Sequence, residues 1–217
     1  MNLEKLAEEG HFTKVYNPKR TIPPEQFDLL VKFLYSLPQS VNAQCTHWVI
    51  ASTRETRARI AGAIGTTYAF NAPKIADASH VIVFATRETL TNEYLEEIHQ
   101  KEVADGKFPN EEIANQWKSI VRGWIDYRRF DLKDLVHWME KQTYLGLGMM
   151  LMAAAELGIS AAPLEGFDPR LVDAELGLRE KGFTTSAILT LGYRSDSDFY
   201  AKTPKSRLPK ERHITVL

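Results

Sequence analysis

Apolar residues along the chain follow two periods, and each period predicts an element. Leu3, Leu6 and Ala7 share one face of a short helix over residues 1–9. Phe27, Leu30, Val31, Leu34 and Tyr35 recur at helical spacing after Pro23 and Pro24, which suit a helix start, and before Pro38, which ends it. HWVIAS (47–52) has strand character, and Ser52 with Glu55 forms a capping-box pattern opening a helix to about Ile64. HVIVFAT (80–86) predicts a buried strand. Polar helices follow over about 91–104 and 110–129, parted by the Gly- and Pro-containing loop ADGKFPN (104–110). Residues 132–157 predict the longest helix, which turns apolar all round in its second half and so belongs inside a core. ISAAPLE (159–165) is extended, DPRLVDAELGL (168–178) is helical with Pro169 in its first turn, and TSAILTLGY (185–193) is the last strong strand. The tail after Ser195 is polar and ends in the β-prone HITVL (213–217), which has no evident neighbour to pair with. Without repeat, low-complexity segment or linker, the pattern reads as one α+β domain over 1–217.

Composition narrows the classes. The 217 residues are 44% hydrophobic, enough for a sizeable core. The 27 Lys and Arg residues nearly cancel 28 Asp and Glu, so no basic footprint points to nucleic acid. The single cysteine, Cys45, excludes an internal disulfide and a cysteine-built zinc site, and is expected to be a small buried thiol. MNLEKLAEEGH lacks the apolar stretch of a signal peptide. The most apolar run, residues 144–157, is shorter than the ~20 residues a membrane span needs. A soluble cytoplasmic protein without membrane or nucleic-acid partners is expected.

Short motifs decide little. There is no Walker A sequence, and GLGMML (146–151) lacks the third glycine and the preceding strand of a dinucleotide fingerprint. The six histidines have no ligand-like spacing, so no metal site is expected. There is no GxSxG elbow, and Glu96 and Glu97 sit on a polar helix where solvation is the simplest reading. Two features stand out. LEGFDP (164–169) follows an extended segment and leads into a helix, so its main-chain amides can face a ligand or can form a plain turn. KTPKSRLPK (202–210) gathers four cations in nine residues, as a nucleic-acid tail, a solvated run or a phosphate clamp would.

Taken in order, HFTKVY (11–16), SVNAQ (40–44), FNAPKIADASHVIVF (70–84), KQTYLGLG (141–148), PLEGFD (163–168), LREKGF (178–183) and KTPKSRLP (202–209) resemble the FMN-dependent, oxygen-insensitive NAD(P)H nitroreductases, in the branch that includes flavin and dihydropteridine reductases. The resemblance covers nearly the whole chain. It implies a mixed central sheet flanked by helices in a domain-swapped homodimer. The tail from about 196 to 217 would wrap the partner, with HITVL joining its sheet. It also implies a ping-pong cycle in which NADH or NADPH gives hydride to flavin N5, and a nitroaromatic, quinone, pterin or flavin then takes it. The chemistry is flavin-centred, so no catalytic side chain is implied.

The implied cofactor contacts fall on His11, Phe12, Lys14, Gln39, Ser40, Asn42, Asn71, Lys74, Glu165, Gly166, Lys205 and Arg207. Lys205 and Arg207 would hold the FMN phosphate, where an Arg fork and a Lys point charge suit a compact dianion. Lys14 and Lys74 would lie by the pyrimidine edge, with Asn71 bonding it, and a fixed cation there favours the anionic reduced ring. Glu165 and Gly166 would offer main-chain amides. Ser40 and Asn42 would reach over from the partner subunit. Lys14, Lys74 and Lys107 would meet the nicotinamide cofactor, with plain surface charge as the alternative for Lys107. Val41, Tyr68, Phe70 and Trp124 would line the substrate channel, with core packing as their alternative. Lys202 and Lys210 match nothing and read as solvated charge.

The sequence departs from the family pattern at Gly10 and Phe12, where Arg and Ser usually face the phosphate, at Gln39 in place of Ser, and at Gln44-Cys45-Thr46-His47 in place of Gln-Pro-Trp-His. Loss of one charge-assisted contact costs roughly 1.5–3 kcal/mol. These changes leave open a second reading, a flavin-weak or flavin-free binding protein on the same scaffold.

Overall fold

A computed structural model describes residues 3–217. Its centre is a four-stranded sheet of β1 (Thr46–Ala51), β2 (His80–Arg87), β3 (Ser160–Leu164) and β4 (Phe183–Gly192) in the order β1-β2-β4-β3. Its helices are α1 (Leu3–Glu9), α2 (Pro24–Tyr35), α3 (Arg54–Ala63), α4 (Ala72–Ala76), α5 (Asn92–Ala104), α6 (Glu111–Asp126), α7 (Leu135–Glu156) and α8 (Pro169–Leu176).

The period-2 alternation of β2 builds the layers. Ile82 and Phe84 face a core shared with Phe27, Leu30 and Leu34 of α2 and Leu147 and Met150 of α7. Val81 and Val83 face the opposite side, against Ile60 of α3, Ile75 of α4 and Val172 of α8. Helices therefore cover both faces, which explains why HVIVF reads as a continuous apolar run.

Several expectations shift. The sheet is antiparallel at each pairing among the described residues, not mixed. Residues 213–217 are exposed and form no strand, so the mixed strand expected from the resemblance is not supplied within one chain. The capping box moves by one residue: the Thr56 N–H donates to Thr53 Oγ1 at 3.1 Å and the Thr53 N–H to Thr56 Oγ1 at 3.2 Å, because threonine pairs at this spacing as well as Ser with Glu. Glu96 is not simply solvated. It joins α5 to α6 through Lys118 at 2.7 Å and Arg122 at 2.9 Å. The 110–129 helix passes at Tyr127 into a π-helical turn ending at Asp131.

The long helix α7 is less enclosed than its composition suggests. Met139, Leu147, Met150 and Ala154 are buried, yet Tyr144, Leu145 and Met152 remain exposed on the other side. Leu3, on the expected apolar face of α1, is also exposed. Cys45 is fully buried, which pushes its thiol up to about 12.

Candidate active site

Two groups of the expected site residues assemble, on different elements. The first lies where the segment before Tyr16, the 3-10 turn Thr66–Asn71, α4 and the turn after β3 meet. Asn71 is buried, and its Nδ2 donates to the Gly166 carbonyl at 2.9 Å. Lys74 Nζ donates to Asn71 Oδ1 at 2.5 Å and stands 5.4 Å from the centre of the Phe70 ring. Gly166 is required by this closeness. A Cβ there would come within 2.5 Å of Asn71 Nδ2 and 3.3 Å of Tyr68 Cδ1. The turn is closed by the Phe167 N–H donating to the Glu165 carbonyl at 3.0 Å. Among the described residues the Gly166 N–H meets no acceptor.

Lys14 completes this group. Its backbone N–H donates to the buried Asp198 carboxylate at 2.9 Å, which fastens the segment to the turn carrying Tyr200. Its Nζ stands 6.0 Å from the Tyr200 ring centre. Burial lowers the Lys74 pKa, and the positive charge of Lys14 lowers it further. Lys74 is thus a half-buried cation that feels the charge of the exposed Lys14, and among the described residues no carboxylate pairs with either ammonium. Such a pair invites an anion.

The second group is the loop after α2. Val41, Asn42 and Gln44 hold left-handed conformations, with φ of 49°, 51° and 44°. For a β-branched valine this is strained, and side-chain hydrogen bonds, one from within the loop and two from other elements, hold it. Gln142 Oε1 accepts from the Ser40 N–H at 2.9 Å, Gln39 Oε1 from the Cys45 N–H at 2.8 Å, and Glu102 Oε1 from Asn42 Nδ2 at 2.8 Å. Gln39 and Asn42 border a cleft of about 440 Å³. Val41 and Trp124 pack on the same core cluster as Leu135 and Met139. Trp124 is half-buried there, with the Arg128 guanidinium 4.6 Å above its ring.

α7 separates the two groups. Gln142 holds the Ser40 loop, whereas Tyr144 donates its hydroxyl to Glu165 Oε1 at 2.8 Å. Two residues apart on a helix means roughly 200° of rotation, so these contacts leave from opposite faces.

A third set of residues stands apart from both. The carbonyl of His11 accepts from Arg194 Nη2, and Phe12 is 51% exposed. Both border a cleft of about 510 Å³ with Leu151, Met152 and Ala155 of α7. Lys205 donates to the carbonyls of Leu6 and Ala7 at the end of α1, and Arg207 donates to the Ser206 carbonyl at 2.7 Å. Gly10 has its own reason: a Cβ there would lie 2.4 Å from the Leu6 carbonyl oxygen, so the end of α1 excludes any side chain.

The nitroreductase family matches residues 11–193, which include both groups. The chain belongs to the nitroreductase family. It is 39% identical over 215 residues to an oxygen-insensitive NAD(P)H nitroreductase of Salmonella typhimurium, covering 99% of each chain. It is 38% identical over 217 residues to the enzyme of the same name from Enterobacter cloacae, again covering 99% of each. Among solved structures, a nitroreductase from Exiguobacterium sibiricum in complex with FMN superposes with a TM-score of 0.81 over 100% of this chain and 98% of that one, at 18% identity.

Within this nitroreductase fold, sequence reasoning missed the residues that fasten the site: Tyr144, Gln142, Glu102 and Asp198. Gln142 and Tyr144 carry a signal, as polar groups opening an otherwise apolar half-helix. Asp198 and Glu102 carry none, because their partners lie 184 and 60 residues away. Among the described residues no helix is long and apolar enough to cross a membrane, and no group of three or more His, Cys, Asp or Glu residues could hold a metal ion.

Proposed function

We propose that this chain is an FMN-dependent oxidoreductase that takes hydride from NADH or NADPH and delivers it to nitroaromatic, quinone, pterin or flavin acceptors in turn at one site. The Lys14–Lys74 pair beside the Asn71–Gly166 contact carries this reading. The donors present fit FMN: two cations without carboxylate partners, and a main-chain N–H at Gly166 without an acceptor among the described residues.

FMN supplies the two-electron centre. Lys14 and Lys74 would stabilise negative charge on the reduced ring of a bound flavin, and Lys74, half-buried and held by Asn71, would do so with little reorganisation. Asn71 braces this arrangement, since one side of its amide holds Gly166 and the other holds Lys74. A second N–H on Nδ2 stays available to the ring edge. Lys205 and Arg207 would hold the phosphate, with Lys205 keeping a donor beyond its two carbonyl contacts. Tyr68 and Phe70 flank Gly166 and would wall the acceptor side.

The protein acts as a homodimer in this reading. The Gln39–Asn42 loop and the Glu165–Gly166 turn leave α7 on opposite faces, so a complete site takes one group from each subunit. Exposed Tyr144, Leu145 and Met152 on α7 give the partner an apolar surface, and the tail from about 196 to 217 would wrap it. The mixed strand would then come from HITVL of the partner. Gly10 serves the end of α1, so the missing Arg is weak support for a flavin-free protein.

Steady-state rates at varied NADH or NADPH and varied nitroaromatic or quinone test the proposal. Parallel double-reciprocal lines are expected, because one site serves both substrates in turn. Intersecting lines would contradict alternating occupancy, and absence of NAD(P)H oxidation in FMN-saturated protein would contradict the activity itself.

A further inference from the structure

Glu102 is an acidic residue on a polar helix, yet it is 7% exposed. Its Oε1 accepts from two donors: Asn42 Nδ2 at 2.8 Å and the Nζ of Lys107. Asn42 sits in the strained left-handed loop at φ 51°. Lys107 follows the end of α5 and lies over the rings of Phe108 and Trp117, at 5.6 and 5.2 Å from their centres. Glu102 therefore ties the flavin-side loop to the connection between α5 and α6.

We propose that Glu102 is a positioning residue that fixes which end of the Asn42 amide faces the cofactor, with Lys107 as its counter-ion. This inference rests on the FMN reading above. A carboxylate paired with a lysine accepts and does not donate, so Asn42 must turn its NH2 toward Glu102. Its carbonyl Oδ1 is then the end left for a ligand, and it selects a donor: a hydroxyl or ring N–H of the cofactor. An Asn42 free to flip would offer either end and lose this selection. The same contact holds the left-handed loop in place, as a strained conformation requires. Lys107 is committed to Glu102 and to two aromatic faces, so it is not a free cation waiting for a nicotinamide-cofactor phosphate.

The test is a double-mutant cycle on the FMN-loaded protein, read as the FMN dissociation constant from the fluorescence of released flavin. Glu102→Ala should weaken FMN by about fivefold, the scale of one lost hydrogen bond. Glu102→Gln, whose Oε1 still accepts from Asn42, should recover most of that loss. In an Asn42→Ala background, Glu102→Ala should change the constant by less than about twofold. An equal effect of Glu102→Ala with and without Asn42 would overturn the inference, because it would mark Glu102 as a support of α5 alone. Should Glu102→Ala not fold, the same cycle with Glu102→Met keeps the side-chain volume and answers the same question. Lys107→Met should shift the KM values for NADH and NADPH by the same factor. A rise confined to NADPH would place Lys107 on a phosphate and overturn its role as counter-ion. A wild-type protein unable to hold FMN would sink the functional reading and this inference together, whereas FMN-bearing protein with an additive cycle would sink the inference alone.

Discussion

Asn71 Nδ2 donates to the Gly166 carbonyl at 2.9 Å, and the other side of the same amide receives Lys74 Nζ at 2.5 Å. One buried asparagine thus sets the distance between a cation and a main-chain turn 95 residues further along the chain. Gly166→Ala would place a Cβ 2.5 Å from Asn71 Nδ2. Overpacking of this kind costs about 1–3 kcal/mol. Urea denaturation should show that loss, and FMN affinity should fall with it. Unchanged stability and affinity would mean that Asn71 moves aside freely.

Lys74→Met removes one of two neighbouring cations. The reduced flavin would lose stabilisation relative to the oxidised form, so the midpoint potential should fall by about 30 mV, which corresponds to roughly 1.4 kcal/mol for a two-electron couple. Spectroelectrochemical titration measures it. A potential that stays put would show that Lys74 does not face the flavin.

Tyr144 presents its hydroxyl to Glu165 Oε1 at 2.8 Å, and burial together with the Glu165 carboxylate raises the Tyr144 pKa. The phenol therefore stays a donor across the working pH range. Tyr144→Phe should weaken FMN binding several-fold, because the turn bearing Gly166 loses a tether worth about 1 kcal/mol. The melting temperature should move little, since Tyr144 is partly exposed. A large drop in melting temperature with unaltered affinity would assign Tyr144 to packing instead.

His80 supplies a pH dependence. It stacks on Phe27 with ring centres 3.8 Å apart, and burial, then the charge of Arg57, lowers its pKa to about 4. Ser79 Oγ accepts from the Ile22 N–H at 2.8 Å, which leaves the Ser79 proton for His80 Nδ1 at 2.9 Å and suits a neutral ring. The unfolded chain binds this proton near the ordinary histidine value of ~6.5, whereas the folded chain does not bind it until about 4. The unfolded state thus holds more protons in that window. Stability is full above ~6.5 and falls as pH drops toward 4, by about 1–2 kcal/mol after allowance for partial exposure. Denaturation midpoints of the wild type and His80→Gln should converge as pH drops through the window. Parallel curves would remove His80 as the cause.

The sheet and its helices are legible in the sequence because β2 and β4 are long apolar runs and α2 and α7 keep helical spacing. The site is legible only through resemblance. Lys14 meets Lys74 because Asp198, far along the chain, fastens the Lys14 backbone, and no local pattern announces that contact. Val41 at φ 49° runs against its own propensity, and contacts from Gln142 to Ser40 and from Glu102 to Asn42 override it. Glu102 looks solvated on a polar helix until the fold supplies Asn42. The mixed sheet expected from the resemblance is absent for another reason: the tail residues 213–217 form no strand in this chain, and each described pairing is antiparallel.

The most direct test of the account is the visible absorption spectrum of the purified protein, with the released chromophore identified after denaturation. The account predicts a flavin spectrum and FMN in the released fraction, lost or weakened when Lys14 and Lys74 are both replaced by Met. A protein that stays colourless after equilibration with excess FMN would contradict it.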